Sequence, residues 1–260
     1  MSRHRARKRF GQHFLTDPGA IGAIISAVHA TKDDVVVEIG PGEGAITDQL
    51  ARQAGHLHVI ELDRDLAAAL RKQYATSESV TVHEGDALRF DFGSLGDRIR
   101  IVGNLPYNIS TPLLFHLLEF RDVVLDMHFM LQKEVVDRMA AAPGSKAYGR
   151  LGIMLGCHLK VESLFEVPPE AFSPPPAVMS AVVRLDPLPP GTYEIRDEAH
   201  MSKIVAAAFG KRRKTIRNAL KDIVSADDFA AAGIDPGLRP EQIEIADYVT
   251  LSNHLSSTVG

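Results

Sequence analysis

The sequence has one cysteine, Cys157, and this scarcity excludes several classes of protein. A single thiol cannot form a disulfide framework or a cysteine-rich zinc site, and it is typical of a reducing compartment. Long apolar runs are also missing, because Gly, Thr, Asp, Pro and His interrupt residues 10–29 after the basic N-terminus. We therefore expect a cytoplasmic protein with neither a signal peptide nor a membrane-spanning helix.

Acidic residues are absent from two stretches that are rich in basic residues. The chain of 260 residues has a formal net charge of −4, which by itself argues against a nucleic-acid partner. Two stretches, residues 1–9 and 211–221, nevertheless hold 11 of its 29 Lys and Arg residues: Arg3, Arg5, Arg7, Lys8, Arg9, Lys211, Arg212, Arg213, Lys214, Arg217 and Lys221. The other 240 residues hold 18 basic and 33 acidic residues. This distribution predicts two surfaces that bind nucleic-acid phosphates.

Short apolar runs alternate with helix-patterned segments and predict an α/β fold with a parallel sheet. The predicted strands are residues 35–39, 57–61, 80–83, 99–102 and 123–130. The predicted helices between and after them are residues 45–54, 65–74, 111–120 and 132–142. Residues 160–165 and 178–185 are expected to add an antiparallel pair.

A proline-rich segment at residues 186–191 predicts a boundary between two domains. The first domain would span residues 1–186, and the second, residues 187–260, is patterned as a small all-helical domain. In the second domain Lys211, Lys214, Arg217 and Lys221 recur at intervals of three and four residues. This spacing predicts one helix with four cations on the same face.

Glycines follow the first predicted strand in the pattern Glu38-x-Gly40-x-Gly42-x-Gly44. A turn of this kind lets a ligand approach the backbone without interference from side chains. Gly40, Gly42 and Ala45 also match the dinucleotide fingerprint. The glycine spacing therefore does not separate a nicotinamide or flavin cofactor from S-adenosylmethionine, and a turn without a ligand is the remaining alternative.

Carboxylates follow the next two predicted strands. Glu61 comes 21 residues after Gly40, where nucleotide-binding folds place the carboxylate that binds the ribose hydroxyls. Asp63 is the competing candidate for that position. Asp86 could accept a hydrogen bond from the amine of a cofactor's adenine, and a role as a turn or helix cap is equally consistent with its position.

The fourth predicted strand ends in Gly-Asn-Leu-Pro-Tyr at residues 103–107. An exocyclic adenine amine is a poor nucleophile, so an enzyme that methylates it must accept hydrogen bonds from the NH2 group during attack. The side-chain oxygen of Asn104 and the main-chain carbonyl of Leu105 offer two acceptors, and Pro106 would fix the turn. Tyr107 could stack on a flipped base. The alternative is a structural Asn-Pro turn with a core tyrosine.

The motifs together resemble a known family. Residues 38–44 resemble the S-adenosylmethionine motif of class I methyltransferases. The remaining motifs look like the ribosomal RNA adenine N6,N6-dimethyltransferase family, in its small-subunit branch, and lie at residues 9–15, 103–110, 132–135, 171–184 and 211–218. The likeness covers nearly the whole chain and implies a Rossmann-like sheet with a small C-terminal all-helical domain.

The resemblance also implies S-adenosylmethionine as the cofactor and assigns site residues. The implied cofactor-binding residues are His13, Leu15, Gly40, Gly42, Glu61, Asp86 and Asn104. The implied catalytic residues are Asn104, Leu105, Pro106, Tyr107 and Phe172. Phe172 would sandwich the adenine against Tyr107, and His13 stands where the family often has Asn, so its contact is expected to differ.

The implied reaction is dimethylation of N6 on two adjacent adenines in the 3′-terminal hairpin of 16S ribosomal RNA, by a monomer that needs no metal. In that case the first domain is catalytic and the helical domain binds RNA. One alternative is an erythromycin-resistance-type enzyme that modifies 23S ribosomal RNA; the helical tail and Leu105 favour the 16S substrate. Another alternative, from a different class, is a ribosome-assembly factor that acts mainly by binding.

Overall fold

The predicted α/β sheet is present in the computed structural model, which describes residues 13–106 and 108–258. The described residues form nine strands: β1 (Phe14–Leu15), β2 (Val35–Ile39), β3 (His56–Glu61), β4 (Val80–Glu84), β5 (Ile99–Asn104), β6 (Val124–Gln132), β7 (Leu159–Val167), β8 (Phe172–Ser173) and β9 (Ser180–Pro187). Seven of these strands form one sheet in the order β4, β3, β2, β5, β6, β9, β7. The first five pair in parallel, and β9 is antiparallel to β6. β1 and β8 form a separate antiparallel pair.

Helices alternate with the parallel strands and also make up the later part of the chain. The α-helices among the described residues are α1 (Pro18–Val28), α2 (Thr47–Gln53), α3 (Arg64–Gln73), α4 (Ser110–Leu118), α5 (Lys133–Met139), α6 (Arg150–Gly156), α7 (Glu198–Gly210), α8 (Ile216–Ala219), α9 (Ala226–Ala231) and α10 (Ile245–Thr258). The four helices predicted in the sheet region correspond to α2 to α5. None of the helices in the described part of the chain is long and apolar enough to cross a membrane.

Helix α1 was not predicted from the sequence, although its N-terminus carries a clear signal. Asp17 precedes the helix, and its Oδ1 accepts a hydrogen bond from the Ala20 N–H at 2.7 Å. Pro18 occupies the first helical turn, where a missing N–H leaves no intrahelical bond unmade. An Asp-Pro pair before an apolar periodic segment would have been enough to predict the helix.

The described chain divides into two compact units whose limits differ from the predicted domains. One unit runs through Val136 and includes Glu162–Pro187, and the other contains Asp137–Val161 together with the chain from Leu188 onward. The break after Pro187 lies within the proline-rich segment at residues 186–191, but Asp137–Val161 group with the helical unit. The reason is burial, because Tyr148, Ile153 and Cys157 belong to the apolar cluster of that unit.

The order of strands in the sheet reverses beside β2. β3 and β4 follow on one side of β2, and β5 and β6 follow on the other. In open parallel sheets the crevice at such a reversal, at the carboxyl ends of the strands, is where ligands bind. The buried side chains of Val36, Val37 and Ile39 hold β2 in the middle of the sheet. The turns after β2 and β5 therefore open into the crevice.

Candidate active site

The glycine turn leaves β2 with three residues in the left-handed region. The φ angles are +67° at Gly40, +59° at Gly42 and +86° at Gly44. At Gly42 the space is also restricted, since a Cβ there would lie 2.9 Å from Cδ1 of Phe14. A side chain at Gly42 would be strained by the backbone and obstructed by the phenyl ring. Gly40 and Gly42 line a pocket at this edge of the sheet.

Glu61 ends β3 and is hydrogen-bonded to the glycine turn. Its Oε2 accepts from the Gly42 N–H at 3.3 Å, and its Oε1 accepts from the Asp63 N–H at 2.8 Å. Burial raises the pKa of the Glu61 carboxyl above its usual value, and these N–H donors oppose the rise. The competing candidate, Asp63, caps α3 through a 3.0 Å hydrogen bond that its Oδ1 accepts from the Asp65 N–H. Glu61 is therefore the carboxylate that holds the turn.

Asp86 both caps a turn and lines the pocket. Its Oδ1 accepts from the Leu88 N–H at 3.0 Å and caps the 3-10 turn Ala87–Arg89. Gly85, Asp86 and Ala87 all line the pocket. Because a carboxylate has a second oxygen, the cap and the ligand-binding interpretation of Asp86 are compatible.

Asn104 ends β5 with an amide whose orientation is determined by its partner. Its Nδ2 lies 3.0 Å from the main-chain oxygen of His13. A carbonyl oxygen only accepts hydrogen bonds, so the NH2 group must face His13. The side-chain oxygen is thereby left as an acceptor on a residue that lines the pocket.

The turn after Asn104 is tied to the sheet by its backbone. The Leu105 N–H donates to the Met130 carbonyl at 3.2 Å, and the Pro106 carbonyl accepts from the Ile109 N–H at 3.1 Å. Gly103 allows this strand end to lie close to β2, since a Cβ there would be 2.6 Å from the Ile39 carbonyl oxygen. These two hydrogen bonds and the close approach at Gly103 therefore fix the position of the turn against the sheet. Tyr107, predicted to stack on a base, lies outside the described residues.

Three predicted site residues lie in or next to the short β1–β8 pair, and two of them, His13 and Leu15, line the pocket. The Nδ1 atom of His13 lies 2.8 Å from the Pro174 carbonyl. Phe172 is paired with Leu15 across the strands and is only 4% exposed in the apolar core. Phe172 is therefore not among the described residues that line the pocket, and its contact with a substrate base stays a prediction.

Glu38 is a pocket residue that the sequence analysis did not assign to the site. It lies within β2 and is 1% exposed, and its Oε2 has no hydrogen-bond partner in the described chain. Burial raises the pKa of the Glu38 carboxyl to about 8; the nearby Thr47 hydroxyl opposes this rise, and the charge of Glu61 adds to it. The available signal was a single charged residue within an otherwise apolar strand.

The pocket lining is acidic. Among the described residues its titratable side chains include five carboxylates and no Lys or Arg; these are Glu38, Glu43, Glu61, Asp63 and Asp86. No three His, Cys, Asp or Glu side chains in the described ranges are grouped so that they could hold a metal ion. The pocket therefore favours a ligand that carries positive charge.

The first predicted cationic surface, Arg3, Arg5, Arg7, Lys8 and Arg9, lies outside the described residues. In the second stretch the prediction of one helix with four cations on a face is wrong. α7 ends at Gly210, residues 211–214 form turns, and α8 starts after Thr215, whose side chain accepts a hydrogen bond from the Asn218 N–H. Thr215 acts as an N-cap and begins a new four-residue helix, which interrupts the periodic pattern. The cations remain at the surface, except that Arg212 is half-buried.

Comparison with known proteins agrees with this architecture. Residues 3–257 match the family model described as ribosomal RNA adenine dimethylase. A curated relative from Aromatoleum aromaticum, named ribosomal RNA small subunit methyltransferase A, is 57% identical over 257 residues, which are 99% of this chain and 97% of the relative. A crystal structure of a dimethyladenosine transferase from Plasmodium falciparum has a TM-score of 0.80 and 27% identity, with 92% of this chain and 96% of that one covered. The 23S rRNA methyltransferase ErmE has a TM-score of 0.74 and 23% identity, with 94% and 99% covered.

The chain has a parallel sheet whose strand order reverses beside β2, a glycine turn and a pocket at the strand ends. These features together make it a class I methyltransferase. More specifically, the chain belongs to the ribosomal RNA adenine dimethylase family, whose model it matches over nearly its full length. The family and the fold class predicted from the sequence motifs are thereby confirmed.

Proposed function

We propose that this enzyme transfers methyl groups from S-adenosylmethionine to N6 of two adjacent adenines in the 3′-terminal hairpin of 16S ribosomal RNA. The observation that carries the proposal is the Asn104 amide, whose NH2 is committed to His13 and whose oxygen is an acceptor at the pocket. The name of the Aromatoleum relative supports the small subunit as the place of reaction. The products would be N6,N6-dimethyladenosines, and a cytoplasmic location follows from this substrate.

The acidic lining of the pocket supports S-adenosylmethionine over a dinucleotide. A dinucleotide carries a pyrophosphate, whose negative charges the lining carboxylates Glu43, Glu61, Asp63 and Asp86 would repel. S-adenosylmethionine has no phosphate, and its positive sulfonium and ammonium groups outweigh its one carboxylate. The buried Oε2 of Glu38, which lacks a partner in the described chain, fits such a cation. The residues present therefore fit the sulfonium cofactor.

In this proposal, several described residues would hold the cofactor. The backbone of Gly40 and Gly42 would allow close approach, and Glu61 would accept hydrogen bonds from the ribose hydroxyls. The free oxygen of Asp86 would accept one from the adenine amine, and His13 and Leu15 would close the pocket. When bound, the cofactor supplies an activated methyl group on sulfur.

The chain's own contribution to catalysis would be positioning and polarisation of the substrate amine. Asn104 Oδ1 and the Leu105 carbonyl would accept hydrogen bonds from N6, which localises its lone pair for attack on the methyl carbon. Transfer would form the new N–C bond as the C–S bond breaks, with the electron pair of that bond remaining on sulfur, and N6 would lose one proton to solvent. No covalent enzyme intermediate and no general base of raised pKa are needed in this scheme. Pro106 would keep the Leu105 carbonyl aimed, and Tyr107 would stack on the base.

Two successive transfers to the same N6 impose a further requirement on the site. After the first transfer only one N–H remains, so one of the two acceptors must tolerate a methyl group in place of a hydrogen bond. Both acceptor residues are anchored through a donor, since the Asn104 NH2 group donates to His13 and the Leu105 N–H donates to Met130. Either acceptor would then face the methyl group while the other keeps the remaining N–H.

The test is incubation with labelled S-adenosylmethionine and unmethylated small subunits, followed by mapping of the labelled base by primer extension. Label on two adjacent adenines of the 3′-terminal hairpin is expected. In a parallel reaction with unmethylated large subunits, label on 23S ribosomal RNA would support the erythromycin-resistance type instead. A protein that binds small subunits but transfers no label would support the role of an assembly factor that acts mainly by binding.

A further inference from the structure

Arg212 is the one cation of the 211–221 stretch whose described contacts point into the protein. Its Nη2 donates to the main-chain oxygen of Lys146 at 2.6 Å and lies 3.4 Å from that of Ser145. Its Nε lies 3.7 Å from Oε2 of Glu241. With Nη2 and Nε both facing protein oxygens in this way, the guanidinium has little capacity left for a phosphate. The contacts instead connect two segments of the helical unit that are far apart in sequence.

The segment that Arg212 holds is anchored at several points. The Gly144 N–H donates to the Glu241 carbonyl at 2.6 Å. Tyr148, which is 1% exposed, donates from its hydroxyl to the Ile243 carbonyl at 3.0 Å. Between these anchors Lys146 is exposed, and its own main-chain oxygen is the one that Arg212 binds. The main chain at Lys146 is therefore held by Arg212 of the basic stretch, and Lys146 itself is exposed to solvent.

We propose that Lys146 is part of the RNA-phosphate-binding surface. Arg212 is then a positioning residue, because it holds the main chain at Lys146 and so keeps this lysine at that surface. The surface would then consist of Lys146 with Lys211, Arg213 and Lys214, all exposed, and would take the phosphate backbone of the ribosomal RNA substrate. This inference rests on the proposed function. It adds to the surface a cation that lies 65 residues before the basic stretch and in no run of basic residues.

Arg212 and its neighbour Arg213 should respond differently to replacement by lysine. A lysine at 212 keeps the charge, but its single nitrogen cannot span two carbonyls and the Glu241 carboxylate as the planar guanidinium does. Replacement of Arg213 by lysine removes no described contact and keeps the charge that a phosphate needs. The pair Arg212→Lys and Arg213→Lys therefore separates positioning from charge.

The experiment measures the affinity of the full chain for unmethylated small-subunit RNA as a function of salt. Lys146→Gln should lower the slope of log affinity against log salt by about one unit, as expected for one lost phosphate contact. Arg212→Lys should lower the slope similarly, and Arg213→Lys should not. In the Lys146→Gln background Arg212→Lys should have no further effect, because the two residues act through one contact. Lys203→Gln, at an exposed position of α7, is the control for charge.

Hydrogen exchange gives an independent readout of positioning. Arg212→Lys should speed exchange of the Gly144 amide while Arg213→Lys leaves it unchanged. A wild-type slope for Lys146→Gln, or a further drop in the double variant, would overturn the inference while leaving the proposed function intact. A wild-type protein whose affinity for the RNA does not depend on salt would contradict the proposed function itself.

Discussion

The pocket at the sheet edge and the basic stretch at residues 211–221 differ in the sign of their charges and in how far the charged side chains are buried. In the pocket, carboxylates and an amide are held by backbone N–H and C=O groups, and Glu38 and Glu61 are buried. In the basic stretch five cations are exposed on turns and on a four-residue helix. The pocket is thus preorganised for one small cationic ligand, whereas the stretch can adapt to a flexible polyanion. Variants of the two regions should therefore fail in different assays.

The largest expected effect comes from Asn104→Ala. Loss of the amide acceptor should lower the rate of methyl transfer by on the order of a hundredfold to a thousandfold, while RNA affinity changes little. Single-turnover kinetics and filter binding measure the two quantities separately. Asn218→Ala, at an exposed position of α8, is the control and should retain both. Equal loss of transfer and of RNA binding by Asn104→Ala would contradict its assigned role.

Charge reversal in the basic stretch should weaken RNA binding and leave cofactor binding unchanged. Arg213→Glu combined with Lys214→Glu should weaken RNA affinity by roughly tenfold to a hundredfold at moderate salt and flatten the salt dependence by about two units. Affinity for S-adenosylmethionine, measured by calorimetry, should be unchanged. The control reverses Arg52 and Lys72, which are exposed on α2 and α3. If that control flattens the slope as much, the basic stretch has no special role.

A substitution in the glycine turn should reduce stability rather than RNA affinity. Gly42→Ala places a Cβ at a φ of +59° and 2.9 Å from the Phe14 ring, so it should cost about 1–3 kcal/mol of unfolding free energy. Gly85→Ala is a matched control in the same pocket, because a Cβ there meets nothing within 4 Å. Denaturant unfolding compares the two. Similar stability of both variants would show that the turn does not need glycine.

The smallest expected effect is a change in pH dependence on replacing Glu38. Its carboxyl has a pKa of about 8 in the fold against an ordinary 4.5, so the folded state keeps a proton that the unfolded state loses. The stability linked to this proton is fully present below about pH 4.5 and is lost as the pH rises through about 8. Glu38→Gln should therefore reduce the fall in melting temperature between pH 5 and pH 8.5. The exposed Glu43→Gln is the control, and an equal pH response of wild type and Glu38→Gln would refute the burial argument.

Much of the site could be predicted because short-range patterns determine strand ends. The apolar run at 35–39 and the glycines after it predicted β2 and its turn, and the parallel pairing then brought Glu61, Asp86 and Asn104 to one edge. The helical prediction for residues 211–221 failed because Thr215 begins a new helix, a local signal that the charge periodicity concealed. The periodicity described the spacing of the charges correctly but not the path of the backbone.

The amino-acid sequence by itself determined the family, the parallel sheet and the glycine turn, since these depend on contiguous motifs. Only the tertiary structure decided which units the chain forms and what distant residues do. Burial assigned Asp137–Val161 to the helical unit, strand pairing placed Phe172 in the core, and Arg212 bound the main chain at Lys146. The physical reason is that burial and hydrogen bonding between distant segments depend on the folded chain as a whole. They produce no periodic pattern in the sequence from which they could be predicted.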